Sequence, residues 1–172
     1  QDNPELVSAK ELGIPVMNRA SLMGQVMLRY PKTVAVAGSH GKTTATSLIS
    51  VVLMRAGLDP TVLVGGEVDI LGGNVRVGSS QYMVAESCEY QDSFLKFHPF
   101  IGIVLNMEWD HVDYFKNMDS IKKSFVNFAK LIPDDGCLIV CGDNSASSLL
   151  PYVDCNTLTF GLQSKNDWKA DN

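Results

Sequence analysis

The chain has 172 residues, 45% hydrophobic and 19% charged, which is enough apolar material for one domain with a substantial core and excludes a disordered chain. Fourteen basic and 19 acidic residues give a formal charge of −5, so a general nucleic-acid surface is excluded and any phosphate ligand must be held by local geometry. No apolar run approaches the roughly 20 residues that span a bilayer, and the first ten residues lack the basic and apolar regions of a signal peptide, so no membrane partner and a cytoplasmic location are expected.

Short apolar runs alternate with helical patterns, the sequence form of an α/β domain with a mostly parallel sheet flanked by helices. A strand-like stretch at 13–17 and a helix-like stretch at 20–28 come first, ahead of Tyr30-Pro31 and with no room for a domain of their own. Residues 1–31 therefore read as the C-terminal end of a preceding domain. Residues 32–172 read as the N-terminal part of the next one, because the chain stops after a strand and turn with no closing helix.

A strand at 33–37 runs directly into Gly38-Ser39-His40-Gly41-Lys42-Thr43-Thr44. This is a phosphate cradle: the N–H groups of a glycine-rich turn and the positive end of the following helix surround a polyphosphate, Lys42 supplies a charge for the β and γ phosphates, and Thr43 offers a hydroxyl to Mg2+. The common loop of this kind would place a glycine at position 36, where Val36 stands, so the spacing is a shortened Gly-x-x-Gly-Lys-Thr. His40 either contacts substrate or shapes the turn, and the sequence does not choose between them. The expected nucleotide-binding set is Gly38, Ser39, His40, Gly41, Lys42, Thr43 and Thr44, joined by Asn106.

The helix that follows should bury Ala45, Leu48, Ile49, Val52, Leu53 and Ala56 and end at Gly57. A strand at 61–64 leads into a glycine cluster, Gly65, Gly66, Gly72, Gly73 and Gly78, read as one extended loop region. The strand at 82–86 ends on Glu86, a carboxylate at the edge of the sheet where ligands of open parallel sheets collect, with Glu89 and Asp92 as nearby competitors for its role. The strand at 101–105 delivers Asn106-Met107-Glu108-Trp109-Asp110-His111 to the same edge, and His111 there can complete a second metal site or hold the γ-phosphate. The remaining strands are expected at 138–141 and 158–160. Between and after them come a helix with Asp119 as N-cap that buries Ile121, Phe125, Phe128 and Ala129, and a short helix between 144 and 150. His98 is structural. Tyr114, Phe115, Phe94 and Trp109 fit core packing better than an adenine or sugar pocket, and Cys88, Cys137, Cys141 and Cys155 show no Cys-x-x-Cys pair and read as structural thiols.

Taken together, the Gly38–Thr44 loop, Glu86-Ser87-Cys88-Glu89-Tyr90 and Asn106–His111 resemble the Mur ligases, the ATP-dependent amino-acid ligases of peptidoglycan synthesis, over nearly the whole chain. Within that family, the histidine before Gly41-Lys42, the Glu-x-x-Glu-Tyr run and Asp110-His111-Val112-Asp113-Tyr114-Phe115 look most like the alanine-adding branch. The resemblance implies a P-loop NTPase-like central domain that binds ATP and Mg2+, preceded by a domain for the UDP-sugar. The implied substrates are UDP-N-acetylmuramate, whose lactyl carboxylate is phosphorylated by ATP, and L-alanine, whose amine attacks the acyl phosphate. By the same resemblance Lys42 and His111 are catalytic, Thr43 and Glu86 hold one Mg2+, and His111 holds a second. Many relatives bridge that second metal with a carbamylated lysine; the aligned position here is Phe125, with Lys122 and Lys123 out of register, so no bridge is expected. The 172 residues alone are expected to be inactive. A tripeptide-recycling or folylpolyglutamate-type ligase, or a nucleotide-binding module without catalysis, would account for the same motifs. The oligomeric state is not encoded in these patterns.

Overall fold

The structure is a computed structural model that describes residues 2–170, so Gln1 and the last two residues of the expected 32–172 segment lie outside the described residues. Its elements in chain order are α1 (Pro4–Glu11), α2 (Arg19–Met27), β1 (Lys32–Ala37), α3 (Lys42–Arg55), β2 (Thr61–Val68), β3 (Gly73–Arg76), β4 (Tyr82–Glu86), β5 (Ile101–Val104), α4 (Met118–Ala129), β6 (Cys137–Cys141), β7 (Asn156–Gly161) and β8 (Trp168–Lys169). Short 3-10 helices occupy Asp69–Leu71, Tyr90–Lys96 and Ser145–Tyr152.

Among the described residues the strands form one sheet in the order β3-β2-β4-β1-β5-β6-β7-β8, parallel throughout except for β3, which pairs antiparallel with β2 at one edge. β1 is central because it is apolar on both faces. Val34 and Val36 join Val84 beneath Ala45, Ile49 and Leu53 of α3, while Ala35 and Ala37 turn to the opposite layer with Met83, Ala85 and Val104. That second layer carries the larger core. Phe94 stacks on Phe128 at 4.7 Å between ring centroids and meets Phe125 edge-on at 5.3 Å, and all three are fully buried. Each such ring contributes about 2–3 kcal/mol of burial. The contact anchors the Tyr90–Lys96 turn, and with it Glu86–Tyr90, to α4.

α2 docks on the same layer. Met27 is buried in the main cluster, and a Cβ at Gly24 would collide with the Lys96 carbonyl, so only glycine lets α2 approach the Tyr90–Lys96 turn this closely.

Several expectations are corrected. Residues 13–17 form no strand; Ile14, Val16 and Met17 are exposed in an irregular link between α1 and α2, with no neighbouring strand to pair with. α3 buries a narrower stripe than its apolar residues suggest. Leu48, Val52 and Ala56 are exposed, while Thr46 and Ser50 are fully buried, their hydroxyls donating to the carbonyls one turn back (Thr46 to Lys42 and Ser50 to Thr46, each 2.7 Å). Small residues with self-satisfied hydroxyls let the helix lie close to the sheet. Gly57, φ +74°, follows the C-cap residue Ala56. The N-cap of α4 is Asn117, not Asp119: Asn117 Oδ1 accepts from the Ser120 N–H at 2.9 Å and Ser120 answers with its own hydroxyl in a capping box, leaving Asp119 in the first turn. Gly65, Gly66, Gly72 and Gly73 of the glycine cluster form not a loop but the β2–β3 hairpin, with a register shift between Leu63 and Val68, and only Gly78 lies in the connection from β3 to β4.

Candidate functional site

The site lies at the carboxyl edge of the central strands. β1 pairs with β4 and β5, its neighbours, so the segments leaving all three meet there: Gly38 after β1, Glu86 closing β4, and Asn106 two residues beyond β5. Gly38 has φ +146°, and a Cβ on it would press on Leu105 Cβ at 3.1 Å and the Asn106 backbone at 3.3 Å. The turn ends at Gly41, which takes the left-handed N-cap position of α3 at φ +80° with no side-chain cap. The first-turn N–H groups of α3 are thereby left for a ligand, at the positive end of a 14-residue helix.

Asn106 moulds the loop. Its Oδ1 accepts from the His40 N–H at 2.8 Å and its Nδ2 donates to the His40 carbonyl at 3.0 Å, as an additional strand would. Ser39 closes the other side: its hydroxyl accepts from the Glu108 N–H at 2.9 Å and donates to the Glu108 carbonyl at 3.1 Å. The His40 side chain points outward, its Nε2 3.5 Å from Glu108 Oε2, both largely exposed, so the structure ties its backbone to loop shape.

Thr43 and Glu86 meet directly, Thr43 Oγ1 donating to Glu86 Oε2 at 2.8 Å. The same carboxylate oxygen accepts from the Gly65 N–H at 2.7 Å, so β2 also fixes Glu86, and a Cβ on Gly65 would press on both carboxylate oxygens at 2.9 Å. Lys42 does not meet Glu86. Its ammonium folds back over the loop, donating to the Gly38 carbonyl at 2.5 Å and to Glu89 Oε2 and Oε1 at 3.0 and 3.3 Å. Glu89 is 2% exposed, and on its far side His111 Nε2 lies 3.6 Å from Oε1. Thr44 is exposed at the start of α3.

His111 is braced. It adopts φ +51°, its N–H donates to Asp110 Oδ1 at 2.7 Å, and its ring lies 4.8 Å from that of Tyr90. That amide holds the Asp110 carboxyl below the usual range. Tyr90 donates to Asp113 Oδ2 at 2.7 Å and Tyr114 to Asp92 Oδ2 at 2.6 Å, and each carboxylate acceptor pushes its phenol upward. Gln91 and Asp92 share positive φ with His111, a concentration of strained non-glycine backbone typical of functional segments. Phe94, Phe115 and Phe125 are core residues, whereas Trp109 is exposed with its indole N–H on the Phe115 carbonyl at 3.0 Å. A cleft of about 440 Å³ opens beside Glu86, between α2 and the Tyr90–Lys96 turn, and is lined in part by Arg19, Cys88 and Lys96.

The sequence reading named the three segments but treated Glu89 only as a rival to Glu86. The two have separate places, Glu86 on Thr43 and Glu89 between Lys42 and His111. Gly65 was assigned to a loop; the signal available was a glycine directly after a strand, where a backbone approaches closely.

A glycine–lysine–threonine turn between the central strand and its following helix, faced by a carboxylate from the adjacent strand, defines an α/β domain of the phosphate-loop class. Within that class the chain belongs to the Mur ligases: the family described as Mur ligase middle domain matches residues 36–172. It is 58% identical over 170 residues to a UDP-N-acetylmuramate–L-alanine ligase of Caldanaerobacter subterraneus subsp. tengcongensis, and 54% identical over 172 residues to one of Acetivibrio thermocellus. These alignments cover 98% and 99% of this chain and 37% of each relative, so the chain spans little more than a third of their length. Among solved structures, UDP-N-acetylmuramate–alanine ligase MurC from Thermotoga maritima superposes with a TM-score of 0.80 at 29% identity, covering 96% of this chain and 37% of that one.

Proposed function

We propose that this chain supplies the ATP-phosphate and metal-binding part of a cytoplasmic, ADP-forming ligase that joins L-alanine to the lactyl carboxylate of UDP-N-acetylmuramate through an acyl phosphate, in peptidoglycan precursor synthesis. In that reading residues 1–31 end a preceding UDP-sugar domain and 32–172 begin the ATP-binding one. The observation that carries it is the convergence of the Gly38–Thr44 loop, Glu86 and His111 on one sheet edge, together with the identity to alanine-adding ligases.

The donors suit magnesium. Thr43 Oγ1 and Glu86 Oε2 are hard oxygens 2.8 Å apart, close to the roughly 2.9 Å between neighbouring ligands of an octahedral ion with bonds of 2.0–2.1 Å. Two protein oxygens would leave the other positions of an octahedral ion to waters and phosphate oxygens, as magnesium prefers. His111 is the protein ligand proposed for a second ion, its ring backed by Glu89 as metal-binding histidines commonly are. A magnesium ion held by Thr43 and Glu86 would supply charge neutralisation to the phosphates.

The chain's own groups then divide the work. The open N–H groups of α3 and the loop bind the phosphates, and Lys42 compensates charge on the transferring phosphoryl group. One lactyl carboxylate oxygen bonds to the γ-phosphorus as the bond to ADP breaks; the alanine amine next attacks the acyl carbon, and phosphate leaves with that oxygen. With the full-length protein, ADP release should require both UDP-N-acetylmuramate and L-alanine. Equal release without the sugar nucleotide would contradict the proposal, and release with folate or tripeptide acceptors instead would redirect it to another ligase of the family.

A further inference from the structure

Glu89 is one of the most deeply buried charged side chains in the molecule, and it faces both the Lys42 ammonium and the His111 imidazole. We propose that Glu89 is a positioning residue for phosphoryl transfer: it holds the Lys42 ammonium over the loop and backs the His111 imidazole, so that both are set before substrates arrive. The inference rests on the phosphoryl-transfer reading for what Lys42 and His111 do, but the geometry of the brace is independent of that reading.

A carboxylate at 2% exposure is tolerated only if its charge is answered. Lys42, itself only 12% exposed, answers it with contacts to both oxygens at 3.0 and 3.3 Å, and no buried polar side-chain atom among the described residues is left without a partner. A flexible four-carbon stem would otherwise give Lys42 many rotamers, and the pair selects one of them. His111 Nε2 at 3.6 Å from the same carboxylate completes the arrangement, with the Tyr90 ring against its face.

Glu89 is itself rigidly placed. Its carbonyl accepts from the Asp92 N–H at 3.0 Å, the Phe94 N–H returns to the Cys88 carbonyl at 3.0 Å, and Phe94 is locked in the aromatic core five residues on. The turn of left-handed Gln91 and Asp92 that makes this possible carries strain which the Phe94 anchor offsets. Packing in the core is thus transmitted through Glu89 to the two groups that act on phosphate.

The test uses the full-length protein in two arms. The first is acylation of lysines by an N-hydroxysuccinimide ester without nucleotide or metal, read by mass spectrometry, with Lys116 as internal reference. Lys42 should react slowly in the wild type and at least about 5-fold faster in Glu89→Gln, because loss of the counter-charge frees the amine, while Lys116 is unchanged. The second is steady-state kinetics: kcat should fall about 10–100-fold with KM for ATP changed less than about 3-fold, the pattern of lost preorganisation rather than lost binding. Glu89→Asp keeps the charge but withdraws it by one methylene, and should give intermediate values in both arms; it carries the test if the glutamine variant does not fold. Unchanged Lys42 acylation in a folded variant would overturn the brace. Faster acylation with unaltered kcat would overturn its role in transfer. If the wild type itself shows no sugar-dependent ADP release, the proposed function fails while the acylation arm still decides the brace.

Discussion

Thr43 Oγ1 donates to Glu86 Oε2 across 2.8 Å, tying the first turn of α3 to the last residue of β4. These residues are 43 positions apart in sequence and belong to elements that touch only because β4 pairs with β1. The bond therefore reports that sheet order, more than loop sequence, assembles the site.

Gly65 gives the sharpest structural test of that assembly. In Gly65→Ala the new methyl would press on both oxygens of Glu86, which must then swing off Thr43. Binding of a non-hydrolysable ATP analogue should weaken about 10-fold with Mg2+ present, the loss of one charge-assisted contact, and change little in EDTA. Isothermal titration calorimetry with and without the metal measures this. Equal losses in both conditions would show that Glu86 does not act through magnesium.

Lys42→Ala is expected to weaken binding of the same analogue at least about 10-fold by removing a charged phosphate contact. It should also lower stability by about 3 kcal/mol, since it strands the buried Glu89 carboxylate with His111 alone. Calorimetry and denaturant titration read the two effects separately. Unchanged affinity would mean the loop is only a strand-to-helix turn.

Asp59 supplies a pH test away from the site. Its carboxylate accepts from the Ser79 hydroxyl at 2.6 Å, from Arg76 at 2.5 Å and from the Ser79 N–H at 2.8 Å, which together hold its pKa far below the usual range. A depressed folded-state pKa gives stability that is fully present above the unfolded value of about 3.9 and is lost as pH falls toward the folded one. Asp59→Asn should therefore be less stable than wild type at neutral pH, with the difference shrinking below about pH 4. Urea midpoints between pH 7 and pH 2 measure it; a constant difference would show that the cluster does not tie down the β2–β3 hairpin through charge.

The parallel sheet was legible in the sequence because its strands are continuous apolar runs; five of the six expected sheet strands lie within two residues of their predicted bounds, and the one expected at 61–64 runs on to Val68 through Gly65 and Gly66. β3 and β8 were not, since β3 is a short glycine-rich edge strand half open to water and β8 has two residues, so neither leaves a hydrophobic pattern. On α3 periodicity misled, because Leu48 and Val52 lie beside Ile49 on the helix surface but only the face carrying Ala45, Thr46, Ile49, Ser50 and Leu53 meets the sheet. At the site, residue types pointed to Lys42, Thr43, Glu86 and His111. Which carboxylate serves which partner depends on the left-handed turn at Gln91 and Asp92, and no residue type announces a left-handed glutamine.

The central claim is that this loop, with Glu86 and His111, serves formation of an acyl phosphate. Isotope transfer tests it most directly. With the full-length protein, ATP, Mg2+, L-alanine and UDP-N-acetylmuramate carrying 18O in both oxygens of its lactyl carboxylate, the released inorganic phosphate should carry one 18O atom per turnover and the nucleotide product should be ADP. Label appearing in AMP, or phosphate without label, would contradict the account.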